Sequence, residues 1–303
     1  MHFMSNKVSI TGASGFVGKN LTPYLENNRL LVKPVKVITG YELSSYSSEV
    51  VIHLAGKAHD IMNVDHPEEY YAVNTELTKR VFDSFLASEA KMFIYLSSVK
   101  AVADSIAGVL TEDIEPDPKT HYGKSKLLAE NYIKSKEVPR DKRVYILRPC
   151  MIHGPSNKGN LNLLYEVVSR KLPWPLAAYR NQRSFLTVEN LCFVIRELII
   201  RKDIESGIYN VADDVSISTN ELIALIGETI NKKTVLLNLP PPLIRSMAKI
   251  GDFLSLPLNS ERLKKLTENY VVCNKKIVSV LGRELPVNTK QGLKDTIKSF
   301  QEK

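Results

Sequence analysis

Tryptophan occurs once in this chain and cysteine three times, and neither glycine nor proline is bunched anywhere. Each shortage excludes a class of protein. Cys150, Cys192 and Cys273 are odd in number and far apart, matching neither a disulfide framework nor zinc-ligand spacing, so no metal is expected. A reducing cytoplasm suits such cysteines. There is no internal repeat and no low-complexity tract that would read as a linker. Long apolar runs are missing too. The opening Met1-His2-Phe3-Met4-Ser5-Asn6-Lys7 has no apolar signal core, and the most hydrophobic later run, Leu191 to Ile200, is broken by Arg196 and Glu197. Neither a secretion signal nor a membrane span is expected.

What is present is enough for a globular fold, since 44% of the 303 residues are apolar. The net charge of +8 and a pI of about 9.2 suit an anionic partner. The lysines come in pairs, Lys232-Lys233, Lys264-Lys265 and Lys275-Lys276, inside helical sequence without arginine-aromatic interleaving. That pattern describes solvated helix surfaces, so neither nucleic acid nor a membrane is expected, and an anionic small molecule is.

The first motif joins a strand to a helix. Lys7 to Thr11 is β-rich and leads into Gly12-Ala13-Ser14-Gly15-Phe16-Val17-Gly18, followed by Leu21, Tyr24 and Leu25 at helical spacing. Gly12 permits a tight turn, Gly15 lets the backbone approach a pyrophosphate, and Gly18 lets helix pack on strand, as a dinucleotide fingerprint requires. A second strand is predicted within Leu30 to Ile38, where Pro34 is awkward for a central position. No acid stands between Asn27 and Tyr41, and Lys33 and Lys36 occupy that stretch. An acid there would hold the ribose 2′-hydroxyl of NAD, whereas cations suit the 2′-phosphate of NADP.

Further along, Glu49 to Gly56 reads as a strand buried on both faces and ending in small residues, with His53 a satisfied polar group. Pro67 to Glu89 reads as one long helix. Lys91 to Ser98 is another buried strand, delivering Ser97 and Ser98 where open α/β sheets bind ligands. In the helical sequence after His121, Tyr122 and Lys126 stand four apart on one face, so a lysine charge beside the phenol favours phenolate and usable acid/base chemistry. Arg143 to Pro149 is a further strand, running into Ile152-His153-Gly154-Pro155.

Gly12-x-x-Gly15-x-x-Gly18, Leu54-Ala55-Gly56, Val73-Asn74-Thr75, Ser97-Ser98, Tyr122-x-x-x-Lys126 and Arg148-Pro149-x-x-x-x-Gly154-Pro155 stand in one order. Together they resemble the extended short-chain dehydrogenases/reductases, the NAD-dependent epimerase/dehydratase family acting on nucleotide sugars. Ser97 to Lys100, Asn157-Lys158-Gly159-Asn160, Leu172 to Leu176 and Asn181 to Phe185 resemble a bacterial branch of UDP-glucose 4-epimerases and 4-keto reductases serving surface polysaccharide. The resemblance implies an α/β Rossmann fold, a doubly wound parallel sheet with a smaller C-terminal substrate-binding lobe. Residues 1–155 would form the core, completed by parts of 183–213, and 156–303 mainly the lobe.

The resemblance also assigns roles. Tyr122 becomes the acid/base, Lys126 lowers its pKa and holds the nicotinamide ribose, and Ser98 bonds the reacting sugar oxygen. NAD or NADP would lie against Gly12, Ser14, Gly15, Phe16, Val17, Gly18, Lys36, Leu54, Ala55, Gly56, Asn74, Ser97, Tyr122, Lys126 and Pro149. The nucleotide-diphosphate sugar would meet Ser98, Lys100, Asn160, Arg183 and Arg262, and relatives are usually homodimers. Two departures stand out: Val102-Ala103 replaces the Tyr-Gly of many relatives, and the acid after the second strand is missing. Hydride transfer at C4 is the reaction implied, by an epimerase or an NADPH-dependent reductase. A dehydratase ranks below both, since Ser98 is followed by Val99 and Lys100 rather than carboxylates. A non-catalytic dinucleotide sensor is the rival from another class.

Overall fold

The computed structural model describes residues 7–36, 48–57, 66–157, 160–254 and 259–301. Strand β1 (Lys7–Thr11) turns through the glycines into α1 (Phe16–Asn27), and β2 (Leu31–Val35) and β3 (Val50–His53) pair parallel on either side of β1. The predicted long helix is interrupted. Helix α2 (Pro67–Tyr70) passes through a π-helical turn, Tyr71–Glu76, before α3 (Leu77–Ala87).

Next come β4 (Met92–Leu96), a 3-10 turn at Val99–Ala101, β5 (Val109–Leu110), α4 (His121–Ser135), β6 (Arg143–Pro149) and β7 (Met151–His153). They are followed by α5 (Asn160–Ser169), β8 (Phe185–Thr187), α6 (Val188–Ile200), β9 (Gly207–Val211) and α7 (Thr219–Thr229). The chain closes through α8 (Pro241–Phe253), α9 (Ser260–Thr267), β10 (Val271–Val272), α10 (Lys275–Leu281) and α11 (Thr289–Lys298). Pro241 and Pro242 are the first residues of α8, where a missing N–H costs nothing.

The main sheet has six parallel strands in the order β2-β1-β3-β4-β6-β9. This is the expected Rossmann-like, doubly wound architecture. β2 lies at the sheet's edge, which explains how Pro34 is accommodated. One face packs against α1, α6 and α10 through residues such as Ile10, Leu21, Leu191, Ile195 and Ile277. The other carries α3 and α4, with Phe82, Phe85, Ala129 and Ile133 over Phe93 and Tyr95.

A separate apolar cluster joins α5, α7, α8, α9 and α11 around Trp174, Ile226, Ile244, Leu263 and Leu293. The chain passes between the clusters repeatedly. On β8 the alternation does this within two residues, since Phe185 faces the second cluster and Leu186 the first.

Candidate active site

The winding of the sheet reverses between β1 and β3, so the crevice beyond their C-terminal ends is where such folds bind ligands. The turn after β1 is built for close approach. Gly12 has φ of +74°, and a Cβ there would lie 2.6 Å from the Ala55 nitrogen. The turn and the Leu54–Gly56 loop therefore abut. Ser14 and Gly15 are exposed at the turn's tip, Phe16 and Val17 are half-buried, and Gly18 is buried in α1. Helix α1 starts with no side-chain cap and no acid in its first turn, so its first N–H groups and positive dipole end are available to an anion. A Cβ on Gly56 would sit 3.1 Å from both the Asn74 amide oxygen and the Lys126 ammonium. This cradle fits a dinucleotide. Lys36 follows Val35, which pairs with Thr11, so the exposed lysine flanks the same turn, whereas Lys33 pairs with Ser9 in mid-strand.

Helix α4 is anchored at its start. Thr120 caps it by accepting from the Gly123 N–H at 3.2 Å, and Asp104 fixes the cap in turn. Its carboxylate accepts from the Thr120 hydroxyl at 2.7 Å and from the Lys119 and Thr120 N–H groups at 2.6 and 3.0 Å. Tyr122 is half-buried in the first turn, and its ring meets Tyr70 edge-on at 6.2 Å. Burial pushes the phenol's pKa up, and a hydrogen bond with the Ser98 hydroxyl pulls it back. Ser98 is held by capping the 3-10 turn, accepting from the Lys100 N–H at 3.2 Å.

One turn on, Lys126 is buried. Its ammonium donates to the Leu96 carbonyl at 2.9 Å and lies 5.0 Å from the Tyr95 ring centre. Burial lowers its pKa to about 8, with Glu130 opposing. The ammonium thus lies at the end of β4, beside the Gly56 cradle. For Tyr122 in the protein alone, burial is the leading influence and sets the direction of its shift.

Beneath these groups lies a buried polar layer. Arg148 on β6 donates to both Glu130 oxygens, with Nε at 3.0 Å from Oε1, and the Ser97 hydroxyl donates to the same carboxylate. Ser97 therefore steadies the layer. Asn74, on the π-helical turn, accepts from the Lys57 N–H at 2.8 Å and donates to the Lys57 carbonyl and the Ser125 hydroxyl. Its amide is committed to shaping the Gly56–Lys57 loop. His53 bonds Thr11 at 2.6 Å and Thr78 at 3.0 Å, and burial depresses its pKa to about 3, so it is the satisfied polar group expected. Pro149 is buried at the end of β6, paired with Val211.

On the far side, Lys100 lies 4.1 Å from the Tyr270 ring centre and donates to the Asp104 carbonyl. Tyr270 itself donates to the Ala103 carbonyl at 2.6 Å, tying the loop after β4 to the C-terminal part. Arg183 pairs with Ile217 through its backbone and donates from its guanidinium to the Lys265 carbonyl on α9, the helix that carries Arg262. Lys158, Gly159 and the side chain of Asn160 lie outside the described residues.

Sequence reasoning missed Asp104, Tyr70, Tyr270 and Glu130. Only Glu130 had a signal, one turn beyond Lys126 on the same helix face. No group of three or more potential metal ligands occurs among the described residues.

The family model "NAD dependent epimerase/dehydratase family" matches residues 41–212, more than half the chain. The chain belongs to this family. As a member it is an enzyme that uses a nicotinamide dinucleotide. Among curated relatives, it is 27% identical over 98% of its length to the UDP-glucose 4-epimerase of Vibrio cholerae, covering 96% of that protein. It is 28% identical over 97% of its length to an N-acetyl-α-D-glucosaminyl-diphospho-ditrans,octacis-undecaprenol 4-epimerase of Escherichia coli O157:H7, covering 95% of that protein. Of solved structures, RMD from Pseudomonas aeruginosa complexed with NADPH superposes with a TM-score of 0.75 at 20% identity, over 98% of this chain and all of that one. A UDP-glucuronic acid 4-epimerase from Bacillus cereus in complex with NAD gives a TM-score of 0.75 at 18% identity, over 98% and 99%. These two likenesses speak for the family's fold.

Proposed function

We propose that this enzyme moves hydride reversibly at C4 of a hexose carried on a nucleoside diphosphate, in the manner of a UDP-glucose 4-epimerase. The observation that carries the reading is the convergence of Ser98, Tyr122 and Lys126 beyond β4, beside the glycine cradle. The cradle of Gly12, Gly15 and the α1 N-terminus would hold the pyrophosphate, and Lys126 the nicotinamide ribose. When bound, the dinucleotide supplies the hydride acceptor and donor. As a phenolate Tyr122 would take the C4 hydroxyl proton in oxidation, and as a phenol it would return that proton in reduction, while Ser98 orients the oxygen. Arg183 and Arg262 would bind the diphosphate, and the cluster of α5, α7, α8, α9 and α11 would form the substrate-binding lobe. The full-length Vibrio relative supports this reading by its own named activity.

A 4-keto reductase using NADPH is the second reading, favoured by Lys36 beside the glycine turn and the missing acid. The dinucleotide that co-purifies separates the two: retained NAD supports the epimerase, and an empty site preferring NADPH supports the reductase. Tyr122→Phe should bind dinucleotide almost as the parent does, yet lose about 100- to 10,000-fold in turnover of UDP-glucose to its C4 epimer. Undiminished turnover in that variant would sink the mechanism.

A further inference from the structure

We infer that the second cluster docks on an anionic membrane surface through α8. This helix is held to the protein by a narrow stripe, Ile244, Ala248 and Gly251, at i, i+4 and i+7. A second stripe with the same spacing, Leu243, Met247, Ile250 and Leu254, stands open, 43 to 58% exposed, with Phe253 beside it at 89%. Three more, Val235, Leu236 and Leu237, are exposed just before the helix. Eight of the fifteen large apolar side chains exposed among the described residues thus fall within twenty residues. Isolated exposed hydrophobics are ordinary; a doubled apolar stripe on one helix indicates a partner.

Charge selects the partner. Lys232 to Thr267 carries seven cations against two carboxylates, Asp252 and Glu261, so this segment holds +5 of the chain's +8. Away from the open stripe, Arg245 and Lys249 face Lys264 on α9 across a cavity of about 310 Å³, also lined by Tyr179 and Ser260. An apolar stripe flanked by a cationic recess suits a helix lying at the level of lipid headgroups, acyl chains against the stripe and phosphates near the cations. A second copy of this chain would present the same +5 segment to itself.

This inference does not rest on the C4 reading, because binding is read without substrate. The full chain is sedimented with vesicles of phosphatidylcholine mixed with phosphatidylglycerol, or of phosphatidylcholine alone. It should bind the mixed vesicles and largely ignore the neutral ones. The pair Ile250→Asp with Phe253→Asp should weaken binding at least about tenfold while dinucleotide binding and circular dichroism stay as in the parent. Leu243→Asp with Met247→Asp should do the same, and Lys249→Glu with Lys264→Glu should remove the preference for anionic lipid. No binding to mixed vesicles, binding that both aspartate pairs leave intact, or an aspartate pair that changes only the oligomeric state would each overturn the proposal.

Discussion

At the scale of single residues, burial decides what each ionisable group can do. Tyr122 and Lys126 share a helix face as their spacing requires; the ammonium donates to the Leu96 carbonyl, and burial holds the phenol's pKa above its ordinary value. His53 shows the same force at full strength. Its folded pKa of about 3 lies below the ordinary 6.5, because burial resists a charged ring and the Lys126 ammonium repels it. The unfolded chain binds that proton first as pH falls. Stability from this residue is complete above pH 6.5 and declines by about 1.4 kcal/mol per unit between 6.5 and 3. Ring NMR of the native protein should show no His53 titration near neutrality; a midpoint near 6.5 would contradict this account.

At the scale of elements, the strands and the helix after the glycines were legible, because alternation and buried runs act locally. The interruption at Tyr71–Glu76 was not. It places Asn74 and Thr75 against Ser125 of α4, a contact that depends on a partner fifty residues away. At the start of α4 only the helical sequence after His121 was read: the Thr120 cap and Asp104, sixteen residues upstream, emerged with the structure. Asp104→Ala leaves Thr120 and Lys119 without their acceptor and should cost about 1–3 kcal/mol of stability, read in urea unfolding. Turnover should fall more than dinucleotide affinity, since Tyr122 shifts while the glycine cradle does not. Equal losses in both would place Asp104 elsewhere in the machinery.

At the scale of the whole molecule, the repeated passage of the chain couples the two clusters. Asn190 on α6 donates to Asp213 at 2.7 Å and to the Val287 carbonyl at 2.7 Å, and α11 then buries Leu293 and Ile297 in the second cluster. Leu293→Ala should therefore cost about 2–5 kcal/mol and shift one cooperative transition downward. Two separated transitions by fluorescence and circular dichroism would show that the clusters unfold independently. The open apolar stripe of α8 also belongs to this scale. The lysine pairs on either side of it, Lys232-Lys233 and Lys264-Lys265, read as solvated helix in the sequence, and only the packing of Ile244, Ala248 and Gly251 reveals which apolar stripe was left open.

The sequence by itself determined the succession of core strands along the chain, the glycine turn, the Tyr122–Lys126 spacing and the family, since each depends on neighbours a few residues apart or on motifs in fixed order. The tertiary structure decided where those groups point. It turned Lys126 to Leu96, committed Asn74 and Ser97 to buried partners and brought Asp104 and Tyr270 to the site. It also exposed one face of α8. These outcomes depend on which distant side chain supplies the nearest donor, acceptor or apolar wall, and no local pattern carries that information.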